Sequence, residues 1–355
     1  MDVTKVGIIG TGLISQFQAA AYRSVENAKI VAVCDINRPA AEQRAAEWGA
    51  ERIFTDYHEL LRQPDIDAVE ILLPHQLHKE VVIAAAEAHK HVSVMKPMAL
   101  NSKDAREMIA ATRKAGVTFN ISENYLFYEP ISRAIELVKS GDLGAPLTIM
   151  MERVPAFGAH SEKYAEPNDP DYWRMDKKKS GGMVFDDMVH YDAVARFLMQ
   201  SDIERLSAIL DKPEGPYELP AVVIWKHKGD QQYGTFAYSW LLRSLIPSDY
   251  YSLHESIELV CEEGVIWIPN ISAKLRPEAP ILVFKDGKTT AYHDVNPDYA
   301  NSFVREVQHY VDSIQAGKPT MFDGEQGHKQ VLFALAVQKS ADESRTVSMS
   351  EVESA

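Results

Sequence analysis

Hydrophobic and polar positions set a clear rhythm from the start of the chain. The apolar run Lys5 to Ile9 is too brief for a helix, and Gly10, Gly12 and the small Ser15 follow it before a helical pattern begins. A strand from Lys29 to Asp35, a helix opening at Pro39, a strand from Ala68 to Leu73 and a helix from about Leu77 to Ala88 repeat the theme. A strand from His91 to Met95, a helix from about Ser102 to Ala115 and a strand from Val117 to Ile121 continue it. Strands of about five residues alternating with helices of about ten to fourteen predict an α/β domain. Its sheet should be mostly parallel and covered on both faces, with ligands beyond the C-terminal strand ends.

After about Glu123 the pattern changes. A helix near Pro130 to Lys139 is followed by a polar segment without a clear period, and Pro155 to Gly182, dense in proline, aromatics and charge, reads as a loop covering a site. Strand candidates then follow at Arg205 to Leu210, Ala221 to His227, Gln232 to Ser239, Ser256 to Val260, Val265 to Ile268 and Ile281 to Phe284. With no helices between them, they predict an antiparallel sheet with one face packed and the other available to a second subunit. Glu262, Glu263 and Gly264 separate two alternating runs and predict a hairpin. Helices from about Tyr299 to Ala316 and from Glu325 to Ser340 close the chain, Gly317 stopping the first, and the polar residues from Glu343 are expected to trail over the surface. The expected domains are residues 1–122 and 123–355, with the last helix free to pack back toward the first domain.

Composition narrows the classes of function. The 355 residues are 46% apolar and 25% charged, enough for about two domains with their own cores. Lys and Arg number 37 against 51 Asp and Glu, a net charge of -14 that argues against nucleic acid or an anionic membrane as partner. The same charge suits a neutral ligand better than a highly anionic one. The opening residues enter a strand at once, and no apolar window approaches membrane-spanning length, so a cytoplasmic protein is expected. Cys34 and Cys261 stand 227 positions apart in apolar runs and read as two buried thiols.

Three groups of residues carry candidate chemistry. GTGLIS has the spacing of a dinucleotide fingerprint, with Ser15 at the third glycine place and Leu13 and Ile14 in the turn. Asp35, 23 residues beyond Gly12, lies near the distance expected for the carboxylate that accepts hydrogen bonds from a ribose, which favours NAD over NADP. Arg38 leaves NADP as a lesser possibility; the bland alternative is an ordinary turn with Asp35 capping the next helix. Pro74, His75, His78, Lys96 and Pro97 fall at or just after strand ends, where such sheets bind their ligands.

In SGGMVFDDMVHYD, Asp186 and His190 are four residues apart and would share a helical face. An imidazole, which titrates in water at about 6.5, can accept a hydroxyl proton at neutral pH while a carboxylate orients it. Lys96, held before Pro97, could hydrogen-bond a reacting oxygen. Neither HExxH, a CxxC pair nor GxSxG occurs, so no metal site and no serine hydrolase is expected.

These stretches, with AVEILLPHQLHKEVVIAAAEAHKHVSVMKPMA from Ala68, ENYLFYEP from Glu123 and YWRMDKKKSGGMVFDDMVHYD from Tyr172, resemble the Gfo/Idh/MocA family of oxidoreductases along nearly the whole chain. The resemblance implies an N-terminal Rossmann domain, a C-terminal α/β domain with an open, mostly antiparallel sheet, and dimers or tetramers built through that sheet. It implies NAD(P)-linked chemistry on sugar-like compounds, with Lys96, Asp186 and His190 at the family's lysine, aspartate and histidine. His190 would then take the alcohol proton, Asp186 would hold it and grip a hydroxyl, and Lys96 would bridge the reacting oxygens.

The residues expected to face the cofactor are Gly10, Gly12, Leu13, Ile14, Asp35, Arg38, Leu73, Pro74, His75, His78, Met95, Lys96 and Asn124. Those expected to face substrate are Lys96, Tyr125, His160, Tyr164, Trp173, Arg174, Asp186 and His190, with Tyr172 nearby. Met95 stands where the family most often has glutamate, and Asp187, Met188 and Asp192 also depart from the usual pattern. The expected reaction is reversible oxidation of a secondary hydroxyl of a sugar, anhydrosugar, glycoside or cyclic polyol to a ketone. Two alternatives stay open: an NAD-dependent glycoside hydrolase or lyase using transient oxidation, and a nucleotide-binding or assembly protein without catalysis.

Overall fold

The computed structural model describes residues 3–156, 172–211, 218–241, 246–271 and 277–353. They divide into two compact units: the chain up to Asn124 with Phe303–Val331, and Tyr125–Ser302 with Leu332–Ala355.

In the first unit six parallel strands, β1 (Thr4–Ile9), β2 (Ala28–Cys34), β3 (Arg52–Phe54), β4 (Ala68–Ile71), β5 (His91–Met95) and β6 (Phe119–Ser122), lie in the order β3-β2-β1-β4-β5-β6. The chain order reverses between β1 and β4, the switch point at which such sheets bind nucleotides. Val6, Ile8, Val69, Ile71, Val92 and Val94 are fully buried, as both-face coverage by helices requires. Asn37 and Asn101 cap the helices Arg38–Trp48 and Ser102–Ala115, which close on left-handed Gly49 and Gly116. β6 starts two residues later than its apolar run, because the Val117 N–H is taken by Thr112 at the end of the preceding helix.

The unit does not stop at a cut near residue 122. Phe303 stacks on Phe17 with ring centroids 5.0 Å apart, Ser122 donates to Glu306 at 3.0 Å, and Gln330 donates to the buried Glu123 at 2.7 Å. The distant segment Phe303–Val331 thus supplies partners for polar groups that the Rossmann sequence buries but cannot satisfy alone.

In the second unit β7 (Pro146–Pro155), β8 (Ile203–Leu210), β9 (Ala221–His227), β10 (Tyr233–Tyr238), β11 (Leu253–Cys261), β12 (Gly264–Ile268), β13 (Ile281–Lys285), β14 (Lys288–Tyr292) and β15 (Val347–Ser348) form one sheet. Its order is β14-β13-β12-β11-β7-β10-β9-β8-β15, antiparallel except where β10 pairs parallel with β7. The expected hairpin joins β11 to β12.

Two expectations fail here. The polar segment after the helix Glu129–Lys139 becomes β7, a central strand, masked in the sequence because Arg153 is buried among partners supplied by other elements. The C-terminal residues do not trail: Val347 is buried, β15 extends the sheet beside β8, and Arg345 pairs with Glu343 and Glu351. Cys34 and Cys261 are buried free thiols, pushed up by burial to about 12 and about 11. Among the described residues no helix is long and apolar enough to cross a membrane.

Candidate functional site

The glycine turn follows from steric demand. Gly10 has φ +102°, and a Cβ there would lie 2.4 Å from the Leu72 carbonyl oxygen, so only glycine fits. Gly12 is exposed, and nothing lies within 4 Å of the place a Cβ would take, which leaves its backbone open to a ligand. No side chain caps the following helix at Ile14, and the buried Ser15 hydroxyl donates to the Gly12 carbonyl at 2.5 Å. Leu13 and Ile14 are half-buried in this turn.

Asp35, just past β2, holds the turn closed. Its Oδ2 accepts the Thr11 N–H at 2.8 Å and the Thr11 hydroxyl at 2.7 Å, while Oδ1 accepts the Asn37 N–H at 2.8 Å. The helix cap is Asn37, not Asp35. A carboxylate offers about four lone-pair directions, so three protein bonds leave room for a ribose hydroxyl. Arg38 lies in solvent, paired with Glu42 at 2.8 Å. An open Gly12, an uncapped helix start and a carboxylate at the end of β2 fit a dinucleotide.

Leu73 and Pro74 are half-buried after β4, and His75 is buried with its ring 5.5 Å from that of His78. His78 is 0% exposed, with Nδ1 3.0 Å from the Pro97 carbonyl oxygen and Nε2 2.8 Å from that of Leu73. Burial pushes its pKa down to about 4 against the opposing pull of the Leu73, Pro97 and Met98 backbone. Neutral, the ring has one N–H to give to one of these two carbonyls, and it packs between the loops after β4 and β5. Lys96 is buried and joined to Pro97 by a cis peptide, Met95 is half-buried, and Asn124 is buried.

In the second unit Gly181 and Gly182, with φ +81° and +78°, lead into the helical segment that carries the Asp–His pair. A Cβ on Gly182 would sit 2.7 Å from both carboxylate oxygens of Glu218, which accepts the Val184 N–H and pairs with Lys177 at 3.1 Å. A π-helical turn, Val184–Met188, runs directly into the helix Val189–Met199. Asp186 pairs with Arg174 at 3.1 Å, and the Arg174 guanidinium lies 5.1 Å from the Trp173 ring centroid, with Tyr172 packed edge-on to that ring.

His190 is 5% exposed and stacks on Tyr125, ring centroids 4.1 Å apart. The Tyr125 hydroxyl donates to Glu255 at 2.7 Å. His160 and Tyr164 lie outside the described residues, and Lys96 belongs to the first unit.

Sequence reasoning missed what lies under His190. Arg153 on β7 pairs with Asp187 at 2.6 Å and with Glu255 on β11. Tyr191 donates to Glu255 and Tyr238 to Asp187. Burial first, and the adjacent carboxylates second, hold the Tyr125, Tyr191 and Tyr238 phenols well above the usual tyrosine range, so they remain donors. The available signal was charge, Arg153 and Glu255, set within two stretches rich in apolar residues. Asp192, set aside from the catalytic set, pairs with Arg196 at 3.0 Å. Among the described residues no cluster of three His, Cys, Asp or Glu could hold a metal ion.

Residues 4–123 match the Gfo/Idh/MocA oxidoreductase family model with its NAD-binding Rossmann fold, and residues 131–267 match the Gfo/Idh/MocA C-terminal domain. The chain is 28% identical to the myo-inositol 2-dehydrogenase of Thermotoga maritima, over 98% of this chain and 99% of that relative. A probable dehydrogenase of known structure from Thermotoga maritima is 26% identical with a TM-score of 0.80, covering 98% of this chain and 99% of its own. A levoglucosan dehydrogenase in complex with NADH and levoglucosan, 20% identical over 98% of this chain and 100% of its own, shares the fold with a TM-score of 0.84. With both halves matched in order and the Rossmann and nine-stranded sheets in place, the chain belongs to the Gfo/Idh/MocA family of oxidoreductases.

Proposed function

We propose that this protein is an NAD-preferring dehydrogenase that oxidises a secondary hydroxyl of a sugar, anhydrosugar, glycoside or cyclic polyol to a ketone, reversibly. The observation that carries it is the helical segment on which Asp186, paired with Arg174, stands four residues before His190, stacked on Tyr125. A myo-inositol 2-dehydrogenase aligned along the full chain supports a polyol as substrate class.

Gly10, Gly12 and the start of the helix Ser15–Ser24 would hold the pyrophosphate, and Asp35 a ribose hydroxyl. A carboxylate there repels a 2′-phosphate, which favours NAD. Ile36, 93% exposed beside Asp35, offers an apolar face to an adenine ring. NAD, when bound, supplies the acceptor for the hydride leaving the substrate carbon.

His190 accepts the hydroxyl proton as that hydride departs, and Asp186 holds the imidazole and a neighbouring hydroxyl. Lys96 donates to the reacting oxygen. In the reverse direction His190 returns the proton to the alkoxide. The reaction suits a cytoplasmic enzyme working as a homodimer or homotetramer. Met150, Ile209, Val222 and Ile224 are exposed on the sheet of the second unit, an apolar surface that a second copy would cover.

The direct test is NADH formation at its absorbance band from NAD and a panel including myo-inositol, levoglucosan and simple glycosides. A product two hydrogens lighter than substrate supports the proposal. Bond cleavage without net NADH would replace it with a hydrolase or lyase, and NAD binding without turnover with a non-catalytic role.

A further inference from the structure

His190 rests on a flat ring that is itself held from behind. The Tyr125 and His190 planes are 21° from parallel, Tyr125 is 3% exposed, and its hydroxyl donates to Glu255 Oε1. That oxygen also takes the Tyr191 hydroxyl and the Arg153 guanidinium, and Arg153 continues to Asp187 in the turn before His190. The cluster therefore ties together β7, β11, the residue after Asn124 and the helical segment bearing Asp186 and His190.

The helix fixes where the His190 Cα–Cβ bond points but not the rotation of its ring, because terminal torsions to planar groups are broad. An aromatic face at 4.1 Å restricts that rotation, since turning the imidazole would drive its edge into the phenol ring. A hydrogen bond from the hydroxyl to a buried carboxylate fixes the direction of the phenol's long axis. Rotation of the ring about that axis is blocked by Tyr191 and Tyr299, packed edge-on to it with centroids 6.2 and 5.9 Å away. Glu255 is anchored by the Arg153 guanidinium, a group that cannot lose its charge.

We infer that Tyr125 is a positioning residue: its ring, pinned through the hydroxyl to Glu255 and wedged edge-on by Tyr191 and Tyr299, fixes the plane in which His190 presents a ring nitrogen to the substrate hydroxyl. The inference deepens the dehydrogenase reading and rests on it for the last clause. It gives Tyr125, expected from the sequence to face substrate, a task beside His190, its hydroxyl being engaged by Glu255.

Arg153 and Glu255 are poor places to test this, since breaking a buried ion cluster costs folding outright. Tyr125→Phe keeps the platform and removes the pin; Tyr125→Leu removes the platform. Both leave the ion cluster in place. The full chain, labelled at histidine, would be compared as parent, Tyr125→Phe, Tyr125→Leu and His190→Ala by NMR, with the His190 ring signals identified by their loss in His190→Ala. The parent signals should be shifted upfield by the stacked ring. The shift should persist with broadening in Tyr125→Phe and collapse in Tyr125→Leu.

On the best substrate of the panel, kcat should fall roughly 3- to 10-fold in Tyr125→Phe, the worth of one hydrogen bond, and about 100-fold in Tyr125→Leu. KM and the NADH dissociation constant should hold within about twofold of the parent if ground-state binding is intact. Unchanged kcat in both variants, a loss confined to KM, or an unmoved His190 signal in Tyr125→Leu would overturn the inference. If Tyr125→Leu does not fold, Tyr125→Phe decides through its kcat and the His190 line shape. If the parent turns over no substrate, the dehydrogenase reading fails, while the NMR comparison still decides whether Tyr125 orients His190.

Discussion

Thr11 gives both its backbone N–H and its hydroxyl to one carboxylate oxygen of Asp35, at 2.8 and 2.7 Å. Two segments 24 residues apart are thereby joined at the mouth of the glycine turn. Asp35 consequently has two tasks, closing the turn and facing the proposed ribose. Asp35→Ala should weaken NADH binding about tenfold or more, since a charged acceptor bond contributes about 1.5–3 kcal/mol. Thr11→Val removes only the hydroxyl and should cost roughly threefold to tenfold. Fluorescence titration with NADH separates the two; equal affinities for parent and Asp35→Ala would remove Asp35 from the cofactor site.

His190→Ala and Lys96→Ala should each lower kcat by about 10²- to 10⁴-fold, the usual contribution of a positioned acid or base. Melting temperature and NADH affinity should change little in His190→Ala. Steady-state kinetics on the panel substrate check this, and parent-like turnover in both variants would reject the assignment.

Gly182 owes its identity to Glu218. With φ +78° and carboxylate oxygens 2.7 Å from the place a methyl group would take, Gly182→Ala combines a backbone penalty with a clash. A loss of about 1–3 kcal/mol in stability is expected. Denaturant unfolding measures it; a change below about 0.5 kcal/mol, the scale of an ordinary surface substitution, would show that the turn relaxes freely.

Stability should fall as pH rises past neutrality. Glu70 and Glu306 are both buried in the first unit, and burial pushes their pKa values up from 4.5 to about 7 and about 8, with Glu70 adding to the shift at Glu306. Folded chains therefore keep protons that unfolded chains release, so stability drops from about pH 4.5 upward and levels off above about 8. His78 and His227, held neutral in the fold with pKa values of about 4, act oppositely below about 6.5, where the unfolded chain binds the extra protons. The useful window is accordingly pH 6.5 to about 8.5. There the parent should lose roughly 5 °C in Tm, and Glu306→Gln, which keeps the shape of the protonated acid, should lose half of that or less. Parallel curves for the two proteins would rule out Glu306 as the source.

Much of this architecture was legible in the chain because it depends on local repetition. The GTGLIS turn, Asp35 at the end of the second strand, the hairpin at Glu262 to Gly264 and the spacing of Asp186 and His190 are short-range features. β7 was not legible: Glu152 and Arg153 sit side by side in it, and burial of Arg153 is tolerable only because Asp187 and Glu255 arrive from distant segments. The tail misled for a related reason, since its polarity concealed the burial of Val347 beside β8.

The sequence by itself determined the alternation of strands and helices in the first unit, the hairpin in the second, and which residue types could bind a nucleotide or move a proton. These follow from periodicity and from the few residues able to adopt special backbone shapes. Tertiary structure decided that His78 is buried against the main-chain carbonyls of two loops, that Tyr125 gives its hydroxyl to Glu255 and its face to His190, and that Phe303–Val331 completes the first unit. Each of those outcomes depends on which buried polar group meets which partner. For Tyr125 and Glu255 that pairing joins residues 130 positions apart, and no local pattern encodes it.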